Sequence, residues 1–171
     1  MNMKDALKCF GLLAVGLLTA IFLYPFLHEL GHTCAAIIFG RQVCDFRLFP
    51  IPSVMCEMDI TNELVVVVVG FSGMLLPYLV SLVPPRKTFW IWYLWLIISG
   101  ICLLSFSVSI AGVILYAIGS PMANEDITQI MRFTEEYYVL YLAILIVLSS
   151  IRIVQIVRTK PIKRCLKYFG V

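Results

Sequence analysis

The stretch CFGLLAVGLLTAIFLYPFLHELGH, residues 9–32, decides the fold of this 171-residue chain. Residues 9–27 carry no charged side chain, and a helix of that length, rising about 1.5 Å per residue, nearly crosses a hydrocarbon core of about 30 Å. Two histidines and a glutamate follow at once. The stretch therefore predicts a membrane-spanning helix that ends in a cluster of ionisable groups.

The composition places the whole chain among membrane proteins. Hydrophobic residues make up 61% of it and charged residues 13%, whereas soluble domains carry about 25% charged residues. Three further apolar stretches, 64–85, 88–124 and 137–157, are each long enough to cross a bilayer once. We predict an all-α membrane protein of about four transmembrane helices, with residues 1–171 forming a single membrane-embedded domain.

Two of the apolar stretches differ from a simple single span. The first follows Lys4 and Lys8 as a signal peptide would, but its apolar run exceeds the usual h-region of about 7–15 residues and lacks a convincing cleavage site. The third is longer than one crossing needs. Gly119 and Pro121 disfavour a continuing helix, so that span should end near Ile118, with an irregular segment after it.

Basic residues near the ends of the spans predict the orientation of a multi-pass protein. After four crossings they all fall on one side: Lys4, Lys8, Arg86, Lys87, Arg158, Lys160, Lys163, Arg164 and Lys167. The positive-inside rule then places both termini in the cytoplasm. The net charge of +3 is concentrated in the C-terminal tail, where contact with anionic lipid is expected; no base-reading motif indicates nucleic-acid binding.

The ionisable cluster has the pattern H-E-x-x-H, formed by His28, Glu29 and His32, and uses both histidines of the chain. Residues four apart lie on one face of a helix, so the two imidazoles can share one metal ion. Glu29 is rotated by about 100° and should lie beside the metal, next to a bound water. Ionisable groups at this depth in a membrane are costly and by default functional, although histidines at a helix end can simply meet interfacial water.

A catalytic zinc normally has three protein ligands and an open position. No third histidine exists, so a carboxylate on the same side of the membrane should complete the set: Asp45, Glu57, Asp59, Glu63, Glu125, Asp126, Glu135 or Glu136. Asp126 is favoured because GSPMANEDITQIM, residues 119–131, begins a short helix with acids in its first turn. Glu125 is the main alternative, and a helix-terminal charge without a metal is another.

The segment between the first two spans, 42–60, alternates apolar and polar residues around a proline-containing turn. This pattern predicts a small β-hairpin between the first and second helices, as against a loop lying on the membrane. Such a strand edge could accept an extended substrate. Cys44 and Cys56 occupy mirror positions in the hairpin and could form a disulfide in an oxidising compartment.

These motifs together resemble the site-2 protease family of intramembrane zinc metalloproteases. The similarity comprises HELGH at the end of a membrane helix, the small-residue segment GFSGMLLP at 70–77, and the acidic segment near Asp126. In that family the third ligand is the aspartate of an Asn-Pro-Asp-Gly type motif. This chain keeps Asn124 and Asp126 but has Glu125 for the proline and Ile127 for the glycine.

The residues and the resemblance lead to one expected function. We expect a zinc endopeptidase in which His28, His32 and Asp126 bind Zn²⁺ and Glu29 is the general base. Its expected partners are the lipid bilayer and, by resemblance, transmembrane segments or signal-peptide remnants as substrates. The alternative is a non-catalytic metal-binding membrane protein that holds a substrate or serves a transporter.

Overall fold

The structure, a computed structural model, describes residues 3–47, 52–57, 62–85, 88–123 and 125–170. Its α-helices are α1 (Met3–Leu18), α2 (Tyr24–Ile38), α3 (Glu63–Val80), α4 (Phe89–Ala117), α5 (Asp126–Met131), α6 (Tyr138–Arg158) and α7 (Pro161–Phe169). The strands are β1 (Val43–Arg47) and β2 (Ser53–Cys56), and they lie between α2 and α3. A π-helical turn, Thr19–Leu23, joins α1 to α2, and a 3-10 turn, Glu135–Tyr137, precedes α6.

Four helical segments of the described chain are long and apolar enough to cross a membrane: Met3–Ile38, Glu63–Val80, Phe89–Ala117 and Glu135–Phe169. This confirms the prediction of a mostly helical chain with four membrane-length helices and a small hairpin. The third span ends one residue before Ile118, and Gly119 follows with a left-handed φ of 80°. Glycine adopts that conformation without steric cost, so the helix stops where the sequence predicts.

The first span contains a defect that precedes the histidines. Pro25 has no backbone N–H to donate to the preceding turn, and the backbone N–H of Tyr24 bonds instead to the carbonyl of Thr19, five residues back. A π turn of this kind changes the rotational phase of the helix that follows it. Pro25 is the residue that marks this π turn in the sequence. The apolar pattern alone predicts a continuous helix through this region.

The hairpin forms as predicted, and β1 and β2 pair antiparallel with Phe46 opposite Val54. Phe26 of α2 contacts Phe46 edge-on, with ring centroids 6.5 Å apart, which fixes the hairpin beside α2. Cys44 and Cys56 are free thiols, so the disulfide considered from the sequence is not formed. The register shifts between Val43 and Asp45, and Cys56 faces Val43 rather than Cys44.

Helices α2 and α3 pack at backbone contact. A Cβ atom on Gly31 would overlap the carbonyl of Ser72, and one on Gly70 would lie 2.5 Å from the side chain of Ile130 in α5. Small residues permit this approach of helices within a membrane. The small-residue segment at 70–77 of α3 therefore packs against the histidine-bearing helix and also against α5.

The chain termini meet at one end of the bundle. Lys8 Nζ donates a hydrogen bond to the carbonyl of Tyr168, and Arg164 Nη1 donates one to the carbonyl of Pro85, which lies in the connection between α3 and α4. These contacts bring α1, the connection between α3 and α4, and α7 to the same end of the bundle, which agrees with an even number of crossings between them. The cytoplasmic location of that end stays a prediction. Arg86, Lys87, Asn124 and Asp59, which the sequence interpretation used, lie outside the described residues.

Arg152 is fully buried in α6 near the same end of the bundle. Its guanidinium donates to the carbonyls of Ser81 and Tyr78 and to the hydroxyl of Ser99, and it lies 4.3 Å from the centre of the Tyr78 ring. It makes no ion pair with any residue in the described ranges. Arg152 thus supplies a charged donor to the last carbonyls of α3 in an apolar interior, where the Ser81 carbonyl also accepts a hydrogen bond from Trp95 Nε1.

We predict that Arg152→Met lowers the free energy of unfolding by about 3 kcal/mol, because buried carbonyls lose a charged donor. Thermal unfolding of the purified protein in detergent measures the change. Arg158→Met, an exposed position on the same helix, is the matched control and should have little effect. Equal unfolding temperatures for the two variants would contradict the capping role of Arg152.

Candidate metal centre

Two histidines on one face of α2 form the base of the site. His28 Nε2 and His32 Nε2 lie 3.2 Å apart, and the two rings are nearly perpendicular, with an interplanar angle of 80°. The four-residue spacing produces this approach, because it returns the chain to the same helical face one turn later. The histidine pair is therefore preformed by local structure.

The orientation of His32 is set by α3. His32 Nδ1 lies 2.7 Å from the carbonyl of Val69, which can only accept, so Nδ1 carries the proton. The lone pair of the neutral ring is then on Nε2, which faces His28. Gly73 makes room for this arrangement, since a Cβ there would overlap the His32 ring and lie 2.9 Å from Cε1 of His28. A backbone carbonyl that fixes the ring in this way is the usual support of a metal-binding histidine.

Asp126 brings the third candidate ligand from a helix remote in sequence. Its Oδ2 lies 3.0 Å from His28 Nε2 and 3.5 Å from His32 Nε2. Burial opposes ionisation of this carboxyl, but when the two imidazoles are protonated, their hydrogen bonds and positive charge outweigh burial and hold its pKa well below the ordinary value. Asp126 is thus an ionised carboxylate directed at both imidazoles.

The separations of the three ligand atoms fit a tetrahedral zinc. Ligands about 2.0–2.1 Å from a zinc ion at tetrahedral angles are about 3.3–3.4 Å from one another. The three observed separations are 3.0, 3.2 and 3.5 Å. Two imidazole nitrogens and one carboxylate also form the ligand set of catalytic zinc sites, which leaves a fourth position for water. His28, His32 and Asp126 could therefore hold a metal ion.

Glu125, the alternative third ligand, is engaged elsewhere. Its carboxylate accepts hydrogen bonds from the Thr128 backbone N–H at 2.8 Å, the Thr128 hydroxyl at 3.0 Å and the Ser109 hydroxyl at 2.6 Å. It is the N-cap of α5, and Gly112 of α4 leaves space for it. Because α5 begins at Asp126, the cap residue faces α4 while the next residue faces the histidines.

Glu29 lies beside the ligand cluster, outside the set of three residues. It lines a cavity of about 740 Å³ together with His32 and Asp126, and a second cavity of about 400 Å³ together with His28 and Asp126. The backbone N–H of Val54 in β2 donates a hydrogen bond to its carboxylate. Glu29 therefore faces the space in which a water or a substrate would meet the cluster.

The larger cavity connects the site to the hairpin. Its walls are β2, the N-terminal half of α3, and α5, and they include Val54, Val66, Val69, Gln129 and Ile130. The smaller cavity lies on the α4 side, where Ser105 and Ser109 contribute hydroxyl groups. The cluster is thus accessible from two directions, one lined by a strand and one by polar groups of α4.

The structure brings together the four residues singled out in the sequence, His28, Glu29, His32 and Asp126, although their chemical roles stay predictions. The sequence analysis missed the role of the Val69 carbonyl, which no residue type marks. It also missed the capping role of Glu125, which the position of Thr128 three residues later could have indicated.

No protein-family model matches this chain, and neither a curated protein nor a solved structure matches it.

Proposed function

We propose that this protein is a zinc metalloendopeptidase that cleaves peptide bonds within or next to the membrane. The observation that carries the proposal is the convergence of His28 Nε2, His32 Nε2 and Asp126 Oδ2, with Glu29 adjacent. The chemistry that a bound zinc ion supplies is polarisation of a carbonyl and a lowered pKa of water, toward about 7. The resemblance of HELGH to the site-2 protease motif supports the same assignment.

Glu29 is the general base in this proposal. It lies outside the ligand set and borders both cavities, so its carboxylate can accept a proton from a water that attacks the scissile carbonyl carbon. The same carboxylic acid then donates that proton to the amide nitrogen as the carbon–nitrogen bond breaks. The Val54 N–H holds the carboxylate in place for both transfers.

The strand β2 favours an extended substrate. A helical segment hides its amides in intrahelical hydrogen bonds, whereas an added strand exposes them. The Val54 N–H interacts with Glu29, and β2, which pairs only with β1 among the described residues, lines the larger cavity. We propose that a membrane-spanning peptide unwinds locally and pairs with the other edge of β2 beside the cluster.

The first experiment combines metal analysis with a cleavage assay. Protein purified without added metal should contain about one zinc per chain and cleave a membrane-embedded peptide in detergent or vesicles. A chelator should abolish cleavage, and added Zn²⁺ should restore it. Bound zinc without turnover on a panel of transmembrane and signal-peptide substrates would favour the non-catalytic alternative.

The third ligand can be tested with two adjacent carboxylates. We predict that Asp126→Asn lowers zinc affinity by at least about tenfold, because the ligand set loses its anion. Glu125→Gln changes the neighbouring residue in the same chemical way and should retain zinc, since the amide oxygen can still cap α5. Zinc titration against a chromophoric chelator measures both. The reverse ranking of affinities would assign the ligand to Glu125.

A further inference from the structure

The C-terminal helix α7 lies where the last span leaves the bilayer. Helix α6 has 21 residues, about 31 Å at 1.5 Å per residue, enough to cross the hydrocarbon core. Lys160 then adopts a left-handed φ of 52°, and Pro161 opens α7 in a new direction. With nine residues, α7 is too short to cross a membrane.

Aromatic contacts hold α7 against the start of α4. The ring of Tyr168 stacks on Phe89 with centroids 3.9 Å apart and planes 3° apart, and Arg164 lies 5.2 Å from the centre of the Trp92 ring. Tryptophan and tyrosine concentrate at the headgroup level of membranes. Because α7 follows the end of α6 and packs against the aromatic start of α4, it lies at the membrane–water interface.

The outward surface of α7 carries two adjacent strips. Ile162 and Leu166, one helical turn apart, are 75% and 45% exposed. Lys163 and Lys167, also one turn apart, are exposed about 100° further round the helix. Neither lysine makes a hydrogen bond or ion pair with a described residue, whereas Lys8 at the same end is bound to Asp5 and to Tyr168.

We propose that α7 binds anionic phospholipid at this end of the bundle. Ile162 and Leu166 contact acyl chains, while Lys163 and Lys167 bind the phosphates beside them. An apolar strip next to a cationic strip matches a lipid, which offers both chemistries at that spacing, better than a soluble anion, which would leave the apolar strip in water. This site is remote from the metal cluster and does not depend on the proposed protease activity.

Tryptophan fluorescence provides the test, because Trp90, Trp92 and Trp95 all lie at the start of α4 next to α7. Trp90 is 42% exposed, and its ring centroid is 5.6 Å from that of Tyr168. The full-length protein is placed in micelles that contain increasing mole fractions of phosphatidylglycerol or phosphatidylcholine with brominated acyl chains, over the same range for both lipids. Brominated phosphatidylglycerol should quench the tryptophan fluorescence at a lower mole fraction than brominated phosphatidylcholine does.

Substitutions at the two lysines separate charge from fold. Lys163→Gln and Lys167→Gln should each reduce the preference for the anionic lipid by about fivefold, and Lys163→Arg with Lys167→Arg should retain it. Arg132→Gln, an exposed basic residue after α5, should leave it unchanged. Thermal unfolding checks that all variants remain folded.

Three results would overturn the lipid assignment. The first is equal quenching by the two lipids in the unaltered protein, and the second is an undiminished preference in a variant that carries both Lys163→Gln and Lys167→Gln. The third is loss of the preference on addition of millimolar inorganic phosphate at constant ionic strength. The last result would indicate a site for soluble phosphate. Persistence of the preference in phosphate, with loss in the glutamine variants, supports the proposal.

Discussion

Replacing Glu29 with glutamine should lower the rate of peptide cleavage by about 10²–10⁴-fold, because the amide cannot accept the proton of the attacking water. Bound zinc should stay near one per chain, since Glu29 lies outside the set of His28, His32 and Asp126. The Val54 N–H can donate to the amide oxygen as it does to the carboxylate, so the hairpin should keep its position. Cleavage of a membrane-embedded peptide and zinc content are measured on the same preparation.

Glu63→Gln is the matched control for this substitution. Glu63 is exposed at the first turn of α3, so the same chemical change there should leave both cleavage and zinc content unaltered. Full activity of Glu29→Gln would remove the general-base assignment. Loss of zinc in Glu29→Gln would instead place Glu29 among the ligands and contradict the geometry.

Alanine at Gly73 should have a comparable effect through packing alone. The added Cβ overlaps the His32 ring and lies 2.9 Å from His28 Cε1, while the Nδ1 bond to Val69 prevents His32 from swinging away freely. Helix α3 or the histidines must shift by a fraction of an ångström or more. We predict a loss of about 10–100-fold in zinc affinity and at least about 100-fold in cleavage rate.

Gly100→Ala is the matched control, because it tests whether any substitution of glycine by alanine in these helices has the same effect. A Cβ at Gly100 in α4 meets nothing within 4 Å, so that variant should keep its zinc and its activity. Alanine should even stabilise the helix slightly. Normal zinc affinity in a folded Gly73→Ala variant would show that the close approach of α3 does not position the histidines.

Local physical rules account for the features that the sequence predicts correctly. About 20 apolar residues are needed to cross a bilayer, so the four spans are visible as composition alone. Gly119 ends α4 because a left-handed residue ends a helix wherever it occurs. The pairing of His28 with His32 follows from a spacing of four residues on any helix.

The features that the sequence missed depend on contacts between distant segments. The Val69 carbonyl is 37 residues from His32 and is a backbone atom, so no residue type marks it. The mirror positions of Cys44 and Cys56 suggested a disulfide, but a register shift in the hairpin pairs Cys56 with Val43. The pairing of strands is set by the whole hairpin and by its packing against Phe26.

The sequence by itself determined that this chain has four apolar stretches long enough to cross a membrane, that the third helix ends near Ile118, and that two imidazoles and a carboxylate share one helix end. The tertiary structure decided which distant acid meets them. Glu125 and Asp126 are adjacent, and their side chains diverge because α5 begins between them, with one residue capping the helix against Ser109 and the next facing the histidines. Such a choice depends on where α5 packs between α3 and α4, and only the folded chain fixes that position.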